Sequence, residues 1–403
     1  MKKVVFTSLI FASYLFGTSI ENIVQKSLQN NFDIKSLENS IEIANFQIKQ
    51  AKNWENPMIR FKANDIMLNK NYLNNQKEYG IELSQAIPIG KRLELEESIA
   101  KKDKLLKEQT LQDIKLEFES KIYLYSYTIL ILENRLKLLN EYQKNLNRLE
   151  ELYTKLYSYD KVSLNEILNT QISKYDLQMK INELQTTKDN LYLSLEQISY
   201  EKIDKIDDSL VLKDINRQQI EEQLIFHPKI QTLQTTSQKY KDTAQLEDAK
   251  KFSSVTLALE YMQNKEQDYA NITMSMPLPI YNTENINKLK ANLNTNETNN
   301  KLDSQIHNLR LQTKIYLNNL EQYKTNYKIL QEKIVPIKQK IQKVLEEFVG
   351  FDKESLKKNL ISLNELIDYE MKASEQLEKY FENYSELLYY SNKGVKGKKY
   401  SDR

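Results

Sequence analysis

The chain of 403 residues contains no cysteine. That excludes disulfides, thiolate metal sites and a lipid-modified cysteine. Glycine and proline number six each, about 1.5% of the chain against a usual ~7% and ~5%. Few positions can turn sharply, so an ordinary domain of many short elements is excluded. Apolar runs of ~20 residues are also missing, which rules out a bundle of transmembrane helices. Basic and acidic residues nearly cancel, 58 against 56, for a net charge of +2. Nothing in that balance points to nucleic acid. Leu, Ile and Tyr are spread along most of the chain, which argues against disorder. The composition that remains favours a few very long helices.

The N-terminus carries its own pattern. Lys2 and Lys3 precede an apolar run from Val4 to Phe16, followed by Gly17-Thr18-Ser19. This is the layout of a secretory signal over residues 1–19, with cleavage near Ser19. The run is too short to span a bilayer. A buried N-terminal helix is the alternative.

Between Lys91 and His227 there is no glycine or proline. There the apolar period is helical: Leu139, Tyr142, Leu146, Leu149, Tyr153 and Leu156 step alternately by three and four. A longer stripe begins at Ile306 and runs through Leu320, Tyr327, Ile334, Ile337, Ile341 and Val344 to Phe348. Six heptads of this kind predict a coiled coil. A helix from Arg92 to about Tyr157 would reach roughly 100 Å. Pro336 lies inside the second long helix and is expected to kink it.

Where glycine and proline cluster, at Pro57, Gly80, Pro88, Gly90, Pro277 and Pro279, the period falls to two. Apolar residues alternate with polar ones over 58–64, 78–87, 255–261 and 270–278. These segments predict two β-hairpins with polar loops at 67–77 and 262–269. Strands with one apolar face fit an outer-membrane barrel, or else a soluble packing unit at a helix end.

The halves repeat. Ile81 to Ile89 parallels Ile272 to Ile280, and Ser163-Leu164-Asn165-Glu166 recurs as Ser362-Leu363-Asn364-Glu365. Each half reads helix, hairpin, long helix, turn, helix. The repeats span 20–215 (hairpin 57–88, helical hairpin 91–200) and 216–390 (hairpin 254–279, helical hairpin 284–390). A basic tail, 391–403, reads as solvated or disordered. Four strands cannot close a membrane barrel, since the smallest have about eight, and lipid does not tolerate open sheet edges. If the hairpins enter a membrane, several chains must pool their strands.

With these features, residues 20–390 resemble the TolC-like outer-membrane efflux family. The resemblance rests on Leu83 to Arg92 and on Met274 to Ile280, each a strand meeting proline just before a long helix. It also rests on the turn Tyr157 to Leu168, similar to the family's Tyr-x-x-Gly-x-x-Ser-x-x-Asp-Val-Leu. Gly90-Lys91-Arg92 and Gln331 to Pro336 are similar to the heavy-metal cation efflux branch. The fold so implied is mainly α with a small β part. It has long coiled-coil helices forming an α-barrel, and two β-hairpins given to a trimeric 12-stranded outer-membrane β-barrel.

The resemblance further implies a homotrimer in the outer membrane of a Gram-negative bacterium, with a large periplasmic portion. Its partners would be outer-membrane lipid, a periplasmic adaptor and an inner-membrane pump of the resistance-nodulation-division or ABC type. The channel would be a passive exit duct, not an enzyme, with no cofactor. Glu365 and Asp368 match the family's acidic constriction; three apart, they share a helix face, and threefold rings of carboxylates would favour cations. Two solvated surface acids are the alternative. Asp160, Lys161, Val162 and Ser163 in one tip, and Asn359, Leu360, Ile361 and Ser362 in the other, are the adaptor-docking candidates. Asp160 and Asn359 stand where the family has glycine, and Asp and Asn tolerate the left-handed conformation best.

Other residues carry less. Trp54, the only tryptophan, is either an interfacial anchor or core packing. Met274 and Met276 could ligate Cu(I) but suit a lipid-facing strand better. His227 and His307 are isolated and define no metal centre. A secreted or periplasmic coiled-coil scaffold without channel activity would explain the heptads but not the duplicated hairpins. The cargo is not written in the sequence.

Overall fold

The structure is a computed structural model, and it describes residues 18–64, 78–264, 266–347 and 353–391. Most of the expected signal segment, the 67–77 loop and most of the basic tail lie outside the described residues. Helices α1 (Ile20–Asn30) and α2 (Phe32–Ala51) lead into strands β1 (Met58–Asn64) and β2 (Glu78–Pro88). Then come α3 (Arg92–Tyr157) and α4 (Leu164–Ser199). The second half runs α5 (Arg217–Gln223), α6 (Pro228–Ala249), β3 (Ser254–Asn264), β4 (Tyr269–Ser275) and α7 (Thr283–Ile329). A π turn over Leu330–Ile334 separates α7 from α8 (Val335–Glu347), and α9 (Lys353–Ser391) closes the described chain. The chain forms two compact units that cut across the sequence repeats.

One unit holds residues 35–113 and 225–308. Its four strands form an antiparallel sheet in the order β1-β2-β3-β4. The helices follow the same order. Lys52 of α2 pairs with Glu97 of α3 at 3.0 Å, Lys239 of α6 with Asp103 of α3 at 2.5 Å, and Lys288 of α7 with Asp248 of α6 at 3.2 Å. Each of α2, α3, α6 and α7 adjoins one strand in the chain, so the ladder order of the sheet becomes the neighbour order of the helices. At the strand-to-helix turns, Gly90 has φ 68° and Asn282 has φ 60°. Only glycine takes that conformation without cost, with Asn next. β4 ends at Ser275, so Met276, Pro277 and Leu278, included in the predicted strand 270–278, lie beyond the strand that forms. Gly80 has a separate role: a Cβ there would meet the Tyr261 carbonyl at 2.9 Å and the buried Met262 side chain.

The other unit holds residues up to 34, 114–224 and from 309 on. Its core is aromatic. Tyr127 stacks on Phe381 at 4.1 Å, and Phe381 meets Tyr380 edge-on at 5.2 Å. The Tyr380 hydroxyl accepts the Lys213 backbone N–H and donates to the Lys213 carbonyl, both at 2.9 Å. That clasp ties the extended segment before α5 onto α9. Thr18 and Ser19 already belong to this unit: Thr18 donates to the Lys205 carbonyl at 3.0 Å, and Ser19 caps α1. Glu119 of α3 is buried, and its Oε2 has no hydrogen-bond partner. Burial first, and the charge of Glu21 second, push its carboxyl up to about 7.

The helices of this unit lie in the order α4, α3, α9, α7/α8. Gln143 of α3 bonds Gln178 of α4, and Lys174 of α4 pairs with Glu150 of α3, both at 2.5 Å. On its other side α3 meets α9 through Arg135, 2.7 Å from Ser374 and 2.8 Å from Glu378. Asn326 of α7 bonds Gln376 of α9 at 3.2 Å, and Gln342 of α8 bonds Asn359 of α9 at 2.6 Å.

The predicted stripe of the second long helix needs one correction. As far as Leu320 its members are buried or half-buried, but Ile337, Ile341 and Val344 are exposed. Val335 and Gln342 are buried in their place, with Lys338 and Leu345 half-buried. The π turn inserts one extra residue, which advances every later residue by one position. Pro336 accounts for it: the ring lacks an N–H and clashes with the carbonyl four residues back, and an i→i+5 turn relieves both problems. The distortion is a change of register as well as a kink.

Candidate functional site

The sheet has two chemically opposed faces. Because register sets which side chains share a face, Ile59, Leu83, Leu259 and Ile272 form one cross-strand row. All four are exposed, Ile272 at 82%. Phe61, Ile81 and Tyr261 form the next row on that face and are exposed as well. Such a continuous apolar surface on a four-stranded sheet is far beyond the scattered apolar residues of a normal surface.

The opposite face carries Arg60, Glu82, Glu260 and Asn271 in one row. Arg60 pairs with Glu82 at 2.7 Å, and Lys62 bridges Glu82 and Glu260, reaching the latter at 2.8 Å. Asn271 donates to Glu260 at 3.2 Å. Glu82 is only 7% exposed; its two cationic partners offset the cost of burying a carboxylate. The alternation was plain in the sequence, but this charge ladder was not read from it. Opposite charges at cross-strand partners would have been the signal. Strands β1 and β4 are open edges, with unpaired ladder groups facing outward.

The first helical tip is compact. Asp160 has φ 56°, and the Lys161 N–H returns to the Leu156 carbonyl at 3.0 Å. This closes α3 in the manner of a left-handed cap. Val162 is buried against Tyr153, Leu156 and Ile167. Ser163 caps α4, and its backbone N–H donates to Glu166 at 3.1 Å, completing a capping box. Asp160, Lys161 and Ser163 are exposed.

The second tip departs from expectation. Asn359, Leu360, Ile361 and Ser362 lie inside α9, in its second and third turns, and not in a loop. α8 ends at Glu347 and α9 begins at Lys353; residues 348–352 lie outside the described residues. The repeated Ser-Leu-Asn-Glu thus changes role. Ser163 caps a helix, whereas Ser362 is buried mid-helix with no hydrogen-bond partner for its hydroxyl. α9 already begins at Lys353, so nothing forced a helix to begin at Ser362.

Glu365 and Asp368 do share the exposed face of α9. Neither stands alone. Glu365 accepts from Lys338 of α8 at 2.6 Å, and Asp368 from Lys372 at 2.5 Å. Both lysines also approach the Tyr369 ring, at 5.5 and 5.0 Å, in cation–π geometry. The acids are therefore neutralised within the chain. Sequence reasoning missed Lys338, which lies 27 residues from Glu365.

Two exposed apolar stripes flank this layer. On α4, Leu164, Leu168, Ile172, Tyr175 and Met179 step four, four, three, four. On α8, Ile337, Ile341 and Val344 step four and three. They lie on the two outermost helices of the order α4, α3, α9, α7/α8.

Trp54 is exposed in the connection between α2 and β1. Met274 is exposed on β4. Among the described residues, no group of His, Asp and Glu could hold a metal ion, and no helix is long and apolar enough to cross a membrane.

The fold is that of the outer-membrane efflux channels. Residues 23–199 match the family model described as outer membrane efflux protein. The structure is similar to a membrane protein from Pseudomonas aeruginosa, with a TM-score of 0.79, 12% identity and coverage of 96% of this chain and 95% of that one. It is similar to the CmeC outer membrane channel of Campylobacter jejuni, with a TM-score of 0.77, 14% identity and coverage of 93% and 86%. The open-state MtrE outer membrane channel of Neisseria gonorrhoeae gives 0.75, 13%, and 94% and 89%. No match is found among curated protein sequences. The TolC-like resemblance read from the residues is present in both sequence and fold.

Proposed function

We propose that the chain is the outer-membrane exit duct of a tripartite efflux system in a Gram-negative bacterium. Substrates pass through it passively, and an inner-membrane pump joined through a periplasmic adaptor supplies the energy. The observation that carries this reading is the sheet with one bare apolar face, one ion-paired face and two open edges. Lipid can cover the apolar face, but it cannot satisfy open edges. Copies must therefore join β1 to β4, and three copies give twelve strands, within the range of closed barrels. The exposed stripes on α4 and α8 support the same head-to-tail joining, since two different patches on opposite flanks close into a ring by rotation.

The decisive test is membrane fractionation followed by electrophoresis in mild SDS without heating. The expected result is an outer-membrane protein migrating as a trimer that collapses to monomer on boiling. A soluble monomer would overturn the reading. At the closed end, Glu365 and Asp368 with their lysines are proposed to form the gate. Replacing both acids by alanine leaves Lys338 and Lys372 unneutralised, so single-channel conductance in planar bilayers should rise and cation preference should fall. Unchanged conductance and selectivity would remove these residues from the gate. The tip Asp160 to Ser163 is proposed to meet the adaptor. Lys161→Glu should weaken complex assembly in pull-downs, and full assembly would count against that contact.

A further inference from the structure

At the junction of strands and helices there is an open cavity of about 620 Å³. It lies on α6, between the first turn of α3 and the start of α7. Gly90 and Lys91, on its wall, follow β2 within three residues, and Phe252 precedes β3 by two. Its level is thus the rim where the apolar face of the sheet gives way to helices. The floor is apolar, from Leu95, Ala244, Ala249 and the exposed ring of Phe252.

The wall is cationic. Lys91 and Lys241 are exposed and have no ion-pair partner among the described residues. The one carboxylate on the wall, Asp248, is bound by Lys251 at 2.7 Å and by Lys288 at 3.2 Å. Those hydrogen bonds hold the Asp248 carboxyl below its usual range. Three lysines, Lys91, Lys241 and Lys288, therefore line the cavity beside a single, saturated carboxylate. The neighbouring acid Glu247 is engaged elsewhere, by Lys250 at 2.6 Å and Asn287 at 3.1 Å. Free lysines beside an apolar floor match an anion that carries a greasy tail: ammonium groups take the charge, and their stems and the phenyl ring take the first methylenes. The cavity is built within one chain, on α6 between α3 and α7, so it does not depend on joining copies through β1 and β4.

We infer that this cavity binds the phosphate headgroup of an anionic phospholipid, between Lys91 and Lys241, with the upper acyl chain against Phe252. The inference rests on the membrane reading of the sheet. It adds a specific contact with the inner leaflet of the outer membrane, which fixes the depth at which the duct sits.

The full chain, purified in detergent, is titrated with dihexanoylphosphatidylglycerol, dihexanoylphosphatidylcholine and inorganic phosphate by isothermal calorimetry. The glycerol lipid should bind about tenfold more tightly than the choline lipid, whose headgroup has no net charge. Lys91→Gln with Lys241→Gln should abolish that preference. Lys155→Gln with Lys180→Gln, which removes the same charge from exposed helical sites, should keep it. Phe252→Ala should weaken both lipids and leave phosphate unaffected. Equal binding of the two lipids by the unaltered chain, or an undiminished preference after loss of Lys91 and Lys241, would overturn the inference. So would inorganic phosphate competing as well as the anionic lipid, because that is a bare anion site. These outcomes are independent of fractionation: a chain that is trimeric in the outer membrane yet indifferent to headgroup charge refutes the lipid site alone.

Discussion

The two helical pairs descend from one repeated pattern and end differently. In the first, α3 runs 66 residues without interruption into a tip closed by Asp160 and capped by Ser163. In the second, the corresponding helix is broken by a π turn ahead of Pro336, and the Ser-Leu-Asn-Glu that begins α4 lies buried inside α9. Identical residues thus hold different posts. A short motif marks a helix start only where the chain upstream cannot continue the helix. What a duplication conserves is the seam, and what it leaves free is the punctuation.

The largest test of that contrast is packing. Tyr153 is 2% exposed in the first seam, while Ile341 is 43% exposed in the second. Tyr153→Ala should cost about 3–5 kcal/mol, measured by guanidinium unfolding in detergent. Ile341→Ala should cost less than about 1 kcal/mol in the monomer yet weaken the oligomer on mild electrophoresis. Equal losses of monomer stability would mean that the π turn does not expose the second stripe.

A pH ramp probes where α3 meets α1. Glu119 titrates near 7 in the fold and near ~4.3 in an unfolded chain. Between those values the unfolded state has released its proton while the folded state retains it. Stability is therefore fully present below about pH 4 and lost as pH rises to about 7, by no more than about 4 kcal/mol. Glu119→Gln should flatten this decline in denaturant titrations from pH 5 to 8. A slope unchanged by the substitution would relieve Glu119 of the role.

Pro336→Ala sharpens the contrast at its source. Without the ring, the π turn loses its reason and an α-helix is the more stable choice. The later residues then rotate back by one position, returning Ile337 and Ile341 to the seam. Lys338→Cys with Glu365→Cys should crosslink readily when Pro336 is present, and severalfold less when it is Ala. Equal crosslinking would show that the register change does not depend on proline. The smallest effect is at the first tip. Asp160→Gly should stabilise by up to about 1 kcal/mol, and Asp160→Val should destabilise by about 1–2 kcal/mol, because only the former suits φ 56°. Similar melting of the two variants would contradict that.

The parts legible in the sequence were those written in local period. Alternation placed β1, β2 and β3 to within a few residues, and the 3-4 stripe placed α3 and most of α7. Two kinds of feature were not legible. The π turn depends on how one proline is accommodated, and a heptad pattern carries no mark of an inserted residue. The partners of Glu365 and the charge ladder on Glu82 depend on register between distant segments: Lys338 reaches Glu365, and Glu260 comes opposite Glu82, only after folding. Asn359 was misplaced because a matching tetrapeptide follows it, whereas α9 begins six residues earlier, at Lys353.

The order of the sheet has a consequence in time. β1 and β2 can pair as soon as one hairpin is made, but β2 and β3 join residues roughly 170 apart in the chain. Closing that larger loop costs about 2 kcal/mol more than closing the hairpin, and contacts of such long range form slowly. The middle of the sheet therefore waits for α3, α4 and α6 to be made before β3 arrives. Until then each apolar hairpin travels alone, with its bare face unshielded, and a holding chaperone has most to protect in that interval.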